Sequence, residues 1–312
     1  MIGALIQAAG APQAVEQIVQ AERAGVPAIW ATSGGIGGAD LLATWAAAAV
    51  QTSRVVLGTS IVRTWPRHPV ALAEETLAIE QLAPGRFRLG IGPTGEAQAV
   101  QTYGVDYRKP LTQVREYLTV LRSLLYDGEV DFVGEHVTAR ARLRASVRTP
   151  LMASAAGLRA FELCGEVSDG AISWVAPRRY LVDQALPALR RGAEAAGRPV
   201  PPLIAHVPMV VDAERQAAQS RAREQLAPYA RSAHFRGTWT RAGYDEAEGY
   251  SDALLDDLLI SGGEAEVAAG LVGWIKDGMG EVLAHPLLDP NDRQGSLARA
   301  FAAIAHAARE VA

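Results

Sequence analysis

The stretch GTSIVRTWPRHP, residues 58–69, decides the fold. A run rich in β-branched residues, typical of a buried strand, ends abruptly in arginine, tryptophan, proline and histidine. A second stretch, FRLGIGPTGEA at 87–97, has the same form, because an apolar run leads into glycines and a carboxylate. Two strands that deliver polar groups at their carboxyl ends predict one shared mouth at one end of a parallel sheet.

The segments around these two stretches alternate between strand and helix patterns. Short links between them predict parallel βαβ units, and continuous apolar runs are typical of a sheet that helices cover. The predicted strands are 2–7, 27–32, 54–62, 86–92, 149–156, 169–175, 201–211 and 279–288. Eight such units in 312 residues predict an α/β protein with a (β/α)8 TIM barrel, and a doubly wound sheet is the alternative.

Two segments interrupt the alternation. Residues near 129–148 alternate apolar and polar side chains and predict an inserted hairpin or extended excursion. Residues near 228–257 contain aromatic and acidic side chains without a clear period and predict a second insertion. No convincing repeat or low-complexity linker divides the chain, so we predict a single domain over 1–312.

Composition argues against several classes of function. The net charge of −4 and the pI near 5.9 leave no basic footprint for nucleic acid. No apolar run approaches the ~20 residues of a membrane span, and the first residues predict a strand rather than a signal peptide. The one cysteine, Cys164, lies in a helical pattern without metal-ligand spacing around it. We expect a cytoplasmic protein with no metal and no membrane contact.

The predicted mouth carries no motif for nucleophilic, phosphoryl-transfer or metal chemistry. Polar and aromatic side chains nevertheless follow the ends of the predicted strands: Gln7, Ser33, Arg63, Thr64, His68, Thr94, Glu96, Ser154, Trp174, His206 and His285. His68 stands between two prolines and is expected to help start a helix, and His206 lies in an apolar strand, which favours a hydrogen-bonded core histidine. An apolar mouth with scattered hydrogen-bond donors suits a reaction in which a bound cofactor supplies the reactive group and acts on a small molecule.

Three stretches in this order carry a family resemblance: GTSIVRTWPRHP, APGRFRLGIGPTGEA and ASAAGLRAFELCGEVSDGAI. They resemble the luciferase-like flavin and deazaflavin oxidoreductases, most of all the members that use coenzyme F-420 and are similar to methylenetetrahydromethanopterin reductase. The resemblance covers nearly the full chain. It implies a bacterial luciferase-like TIM barrel with insertions, usually a homodimer.

The resemblance also implies where the coenzyme ring lies. A non-prolyl cis peptide between Ser60 and Ile61 would support one face of the ring, and the alternative is an ordinary bulged strand. Arg63 follows on the same strand and would pair with an anion of the coenzyme or substrate, unless it is a solvated surface charge. Trp174 would line the ring pocket, unless it only packs in the core.

The phosphate-bearing tail of the coenzyme is placed by the resemblance after the fifth predicted strand. Ser154, Ala155, Ala156 and Gly157 stand at a helix start, where backbone N–H groups and the helix dipole favour an anion. The alternative is that Gly157 only permits close helix packing. Thr94, which follows the fourth predicted strand at the same mouth, completes the set of residues expected to bind the coenzyme.

Glu96 is the residue implied to be catalytic. It matches a carboxylate of the deazaflavin-dependent sugar-phosphate dehydrogenases, which implies a proton donor or substrate anchor. The alternative is that Glu96 only favours the dipole of a helix that begins there. Those dehydrogenases carry a catalytic histidine and tryptophan after strand two, where this chain has ATSGGIGGAD at 31–40, so sugar-phosphate oxidation is not expected.

The function expected from this resemblance is hydride transfer from reduced coenzyme F-420 to an electron-poor C=C or C=N bond. Transfer in the opposite direction, from an alcohol or methylene donor, is less favoured because the histidine and tryptophan are missing. An FMN-dependent monooxygenase of the same superfamily is one alternative. A non-catalytic flavin-binding protein is another.

Overall fold

Apolar runs of the chain close into a barrel of parallel strands. The computed structural model describes residues 1–211, 214–245 and 249–312. The strands are β1 Ile2–Leu5, β2 Ala28–Ala31, β3 Val56–Thr59, β4 Val62–Arg63, β5 Phe87–Gly92, β6 Glu129–Val133, β7 Thr138–Arg142, β8 Leu151–Ser154, β9 Ala171–Ile172, β10 Leu203–Val211, β11 Ile260–Gly262 and β12 Glu281–Pro286. The ring runs β1, β2, β3, β5, β8, β9, β10, β12 and returns to β1. The TIM barrel is thereby confirmed, and the doubly wound alternative is wrong.

Helices follow the strands and cover the outside of the barrel. They are α1 Ala11–Ala24, α2 Leu41–Ala49, α3 Pro69–Leu82, α4 Glu96–Tyr103, α5 Pro110–Arg122, α6 Leu158–Val167, α7 Arg178–Tyr180, α8 Leu186–Ala195, α9 Arg215–Gln225, α10 Ala227–Ala230, α11 Ala233–Arg241, α12 Asp252–Leu258, α13 Glu264–Lys276 and α14 Arg293–Glu310. π-helical turns at Ser123–Asp127 and Leu181–Ala185 extend α5 and join α7 to α8. None of the described helices is long and apolar enough to cross a bilayer.

Side chains at alternate strand positions fill the barrel, because successive residues of a strand point to opposite faces. One buried layer consists of Leu5, Trp30, Met152, Ile172, Ile204 and Leu283. Near the amino-terminal ends of β5 and β12, Arg88 forms an ion pair with Glu281. At the carboxyl-terminal ends, Ile61 and Trp174 pack against the buried layer. The barrel is therefore filled below the mouth.

A bulge separates β3 from β4. Leu57 pairs with Phe87 of β5, but Val62 pairs with Ile91, so the β3–β4 side contains one more residue than its partner. The Ser60–Ile61 peptide within the bulge is cis, as the resemblance implied.

Thr59 holds the bulge through its side chain. Its hydroxyl donates to the Gly90 carbonyl and accepts from the Gly90 N–H, both at 2.8 Å. A Cβ at Gly90 would lie 2.1 Å from the Thr59 carbonyl oxygen, so only glycine permits this approach. The side chain of Thr59 thus replaces ladder bonds that the bulge interrupts.

Both predicted insertions have regular structure. The first is an antiparallel hairpin of β6 and β7, as expected. The second, of which residues 246–248 lie outside the described residues, contains α10, α11 and α12. Its apolar side chains, among them Trp239, Tyr250 and Leu254, form a small core against Val175 at the mouth. These short helices had no clear sequence period because they bury only a few side chains each.

Candidate functional site

The candidate site is the carboxyl-terminal mouth of the barrel. Strands that neighbour one another in the ring, β3 with β4, then β5, β8 and β9, deliver the residues predicted to bind the coenzyme: Ser60, Ile61, Arg63, Thr94, Ser154, Ala155, Ala156, Gly157 and Trp174. Two of these side chains meet at Gly92, because a Cβ there would lie 2.2 Å from Ser154 Oγ and 3.2 Å from Ile61 Cδ1. The structure therefore brings this set to one side of the mouth.

Arg63 is a half-buried cation held by neutral groups. Its Nη2 donates to the Ser33 carbonyl at 2.8 Å and its Nη1 to the Tyr103 hydroxyl at 3.1 Å. No described carboxylate lies within salt-bridge distance of its guanidinium. An oriented and uncompensated positive charge at the mouth suits an anionic group of a ligand.

The segment after β8 presents a row of unsatisfied amides. The N–H groups of Ala156, Gly157, Leu158 and Arg159 have no acceptor among the described residues. Gly157 is the N-cap of α6, has no side chain to cap that helix, and a Cβ there would have open space around it. Free donors at the positive end of a helix dipole form an anion site.

Thr94 and Glu96 lie on the loop and helix after β5. Thr94 has a positive φ of 60°, and its carbonyl accepts a hydrogen bond from the Tyr107 hydroxyl at 2.6 Å. Glu96 is exposed on the first turn of α4. Burial, with a smaller contribution from the Glu96 charge, raises the pKa of Tyr107 to about 12. The carboxylate of Glu96 therefore lies near the loop that carries Thr94, and its catalytic role stays a prediction.

Thr64 was expected at the rim but binds a helix instead, and His68 caps a helix, as the sequence favoured. The Thr64 hydroxyl donates to Gln113 Oε1 of α5 at 2.8 Å. His68 accepts from the Val70 N–H and so caps α3, and its other ring nitrogen lies 3.1 Å from the Thr138 carbonyl of the hairpin. Both side chains hold helices and the insertion in place, because the chain turns outward after β4.

A buried histidine pair lies on the opposite side of the barrel from the bulge. His206 of β10 and His285 of β12 are 3.0 Å apart, Nε2 to Nδ1. The Trp174 indole stacks on His206 with ring centroids 3.9 Å apart. Burial lowers the pKa of both imidazoles, and that of His285 falls to about 4. Both rings are therefore neutral at physiological pH.

This lowered pKa predicts acid sensitivity of the fold. The unfolded chain binds a proton at His285 below about pH 6.5, whereas the folded chain stays neutral down to about pH 4, so stability decreases as pH falls through this window. Between pH 7 and pH 5 the His285 contribution is about 2 kcal/mol. Urea unfolding of the wild type and of His285→Gln at both pH values measures it. An identical pH dependence in the two proteins would contradict the prediction.

Sequence reasoning missed how these histidines pair and what supports the mouth from outside. Tyr103 orients Arg63, and the second insertion contributes Tyr229, which packs edge-on against Trp174. A usable signal for His206 and His285 was present. Each stands in one of the last two predicted strands, which a closed barrel makes neighbours.

This barrel and its mouth define the class of protein. The chain belongs to the luciferase-like monooxygenase family, whose model matches residues 2–280. It is 33% identical over 197 residues to an F-420-dependent glucose-6-phosphate dehydrogenase of Kineococcus radiotolerans, covering 58% of each chain. It spans less than two thirds of the length of the curated relatives that it matches. The family predicted from the sequence is confirmed.

Two solved structures share the fold along nearly the whole chain. The F-420-dependent tetrahydromethanopterin reductase of Methanopyrus kandleri superposes with a TM-score of 0.79 at 20% identity, covering 96% of both chains. A type II Baeyer–Villiger monooxygenase of Pseudomonas putida in complex with FMN gives 0.73 at 17% identity, covering 95% and 92%. At these identities the likeness establishes the fold alone.

Proposed function

We propose that this protein is an oxidoreductase that uses coenzyme F-420 to reduce an electron-poor C=C or C=N bond of a small organic molecule. The observation that carries the choice of coenzyme is the 33% identity with a relative named as F-420-dependent. The fold neighbours do not separate the two coenzymes, because the F-420-dependent reductase and the FMN-bound monooxygenase are 20% and 17% identical to this chain. Sequence-level similarity therefore favours the deazaflavin over FMN.

The residues of the mouth fit an anionic coenzyme with a flat ring. The free amides from Ala156 to Arg159 would hold the phosphate-bearing tail, and Arg63 would neutralise a further negative charge. Ile61 and Trp174, which both pack on the layer beneath the mouth, would line the ring. When bound, coenzyme F-420 supplies a hydride donor or acceptor.

The loop after β2 supports reduction rather than alcohol oxidation. Residues 33–38 contain neither the histidine nor the tryptophan of the sugar-phosphate dehydrogenases. The backbone lies against the segment after β1, where the Ala8 N–H donates to the Gly35 carbonyl at 3.0 Å. A Cβ at Gly37 would lie 1.9 Å from the Ala9 carbonyl oxygen, so this tight packing leaves no room for a larger side chain at that position of the loop.

Hydride addition must be balanced by one proton, and Glu96 is our proposed donor or the residue that orients a donating water. Glu96→Gln keeps the size of the side chain and removes the acid, so we expect kcat to fall about 100-fold with an unchanged Kd for the coenzyme. Steady-state kinetics and a binding titration measure the two quantities. Glu16→Gln on the outer helix α1 is the matched control. Equal activity of both variants would remove Glu96 from the mechanism.

Turnover tests the proposal directly. The purified protein is mixed with reduced coenzyme F-420 and a panel of enones, unsaturated esters and imines, and formation of oxidised coenzyme is followed by its absorbance. We expect turnover with at least one electrophile. Turnover with reduced FMN and oxygen instead would favour an FMN-dependent monooxygenase, the activity named for the FMN-bound fold neighbour. Tight binding of F-420 without turnover across the panel would favour a non-catalytic protein.

A further inference from the structure

The histidine pair forms a hydrogen-bond chain with a fixed direction. The Val175 N–H donates to His206 Nδ1 at 3.3 Å, so this nitrogen must be unprotonated. A neutral imidazole then carries its proton on Nε2, which donates to His285 Nδ1. His285, neutral as well, must carry its own proton on Nε2. The Val175 amide thus sets the tautomer of both rings.

The hydrogen-bond chain begins at Val175, whose backbone is held rigidly. Val175 adopts a φ of 45°, which is a rare conformation for a β-branched residue and persists only when its surroundings fix it. Its N–H is bound by His206 and its carbonyl accepts the Trp239 indole N–H at 2.9 Å. The Trp174 indole covers His206 from one side. The second insertion therefore fixes the orientation of the pair.

The hydrogen-bond chain ends at His285, which lines a small cavity. His285 lines it together with the polar residues Gln7, Gln225 and Arg293 and with apolar residues at the ends of β1 and β12 and on α14. The volume is about 30 Å³, which accommodates one or two water molecules or a single carbonyl oxygen in place of one. No described residue accepts a hydrogen bond from His285 Nε2.

We propose that His206 is a positioning residue that holds His285 as an Nε2–H donor, and that this donor binds a carbonyl-type oxygen of the coenzyme or of the substrate. The inference rests on the proposed function for the identity of that ligand. The pair does not deliver a net proton, because the Val175 amide cannot replace one that leaves through His285. It orients and polarises an acceptor, and the proton of the reaction comes from elsewhere.

The tautomers are tested on the protein without ligand. Nitrogen-15 NMR of labelled histidine at pH 7 should show both rings neutral with the proton on Nε2. In His206→Phe, His285 should lose this single tautomer and show a mixture, whereas His306 on the outer helix should not change. A wild-type His285 protonated on Nδ1, or an unchanged His285 spectrum in His206→Phe, would overturn the positioning role.

The ligand oxygen is tested with His285→Phe and His285→Gln. A coenzyme Kd raised about 10-fold in His285→Phe would assign the oxygen to the coenzyme, and an unchanged Kd with a 10-fold lower kcat/KM would assign it to the substrate. Glutamine restores an N–H near the Nε2 position and should recover most of the loss. Folded His285→Phe with neither change, or no recovery by glutamine, would overturn the donor role. If the wild type binds FMN instead of F-420, the proposed function is wrong. The Kd and kcat/KM of the two His285 variants are then compared with FMN as the coenzyme.

Discussion

Gly157→Asp is expected to weaken coenzyme F-420 binding about 100-fold while the fold becomes no less stable. Gly157 has φ −81° and ψ 156°, which any residue adopts, and its Cβ position is open. Aspartate is a favoured N-cap, and relative to glycine it would stabilise α6 by about a few tenths of a kcal/mol. The same carboxylate would occupy the free amides and repel an anionic tail a few ångströms away, at a cost of about 3 kcal/mol.

Gly157→Asn is the matched control for this experiment. Asparagine has nearly the same size and caps helices as well as aspartate does, but it carries no charge. We expect its Kd for the coenzyme to lie well below that of the aspartate variant, since only the repulsion is removed. Fluorescence titration gives the Kd values and urea unfolding gives the stabilities. Equal binding by the wild type and Gly157→Asp would contradict a tail site at α6.

Thr59→Val is expected to lower the free energy of unfolding by about 3 kcal/mol. Valine has the shape of threonine but loses both hydrogen bonds to Gly90, which leaves a buried N–H and a buried carbonyl without partners. Each unsatisfied group costs about 1–3 kcal/mol. Because these bonds hold the bulge, the variant should also bind the coenzyme more weakly.

Thr76→Val is the matched control for the loss of a threonine hydroxyl. Thr76 is also completely buried, yet its hydroxyl has no hydrogen-bond partner among the described residues. Removing this hydroxyl should be neutral or stabilising by about 1 kcal/mol, because a buried polar group without a partner is unfavourable. Urea unfolding of both variants provides the comparison. Equal stabilities would show that the Thr59 bonds do not hold the bulge.

Local patterns in the sequence were sufficient to predict the barrel. Apolar runs with glycine and proline at their ends located all eight barrel strands, and the strand that ends in TSIVR was correctly placed at the mouth. Those features depend on residues adjacent in the chain. The bulge at Ser60–Ile61 followed from a family resemblance, since no propensity specifies a one-residue change in register.

The support of the mouth depends on tertiary contacts and was not predictable in the same way. The pairing of His206 with His285 requires two strands to be neighbours with both side chains inward. Thr64 was assigned to the rim from its place after a strand, but its hydroxyl binds Gln113 of α5, whereas the helix start expected at His68 is confirmed because its flanking prolines are a local signal. The second insertion is held by a hydrogen bond from the Trp239 indole N–H to the Val175 carbonyl. These two residues are 64 positions apart, so no local pattern indicates the contact.

Titration of the purified protein, freed of bound small molecules, with coenzyme F-420 and separately with FMN tests the central claim most directly. A mouth built for the deazaflavin predicts saturable binding of one F-420 per chain, with FMN bound at least about 10-fold more weakly. Tighter binding of FMN, or the absence of saturable F-420 binding, would contradict the claim.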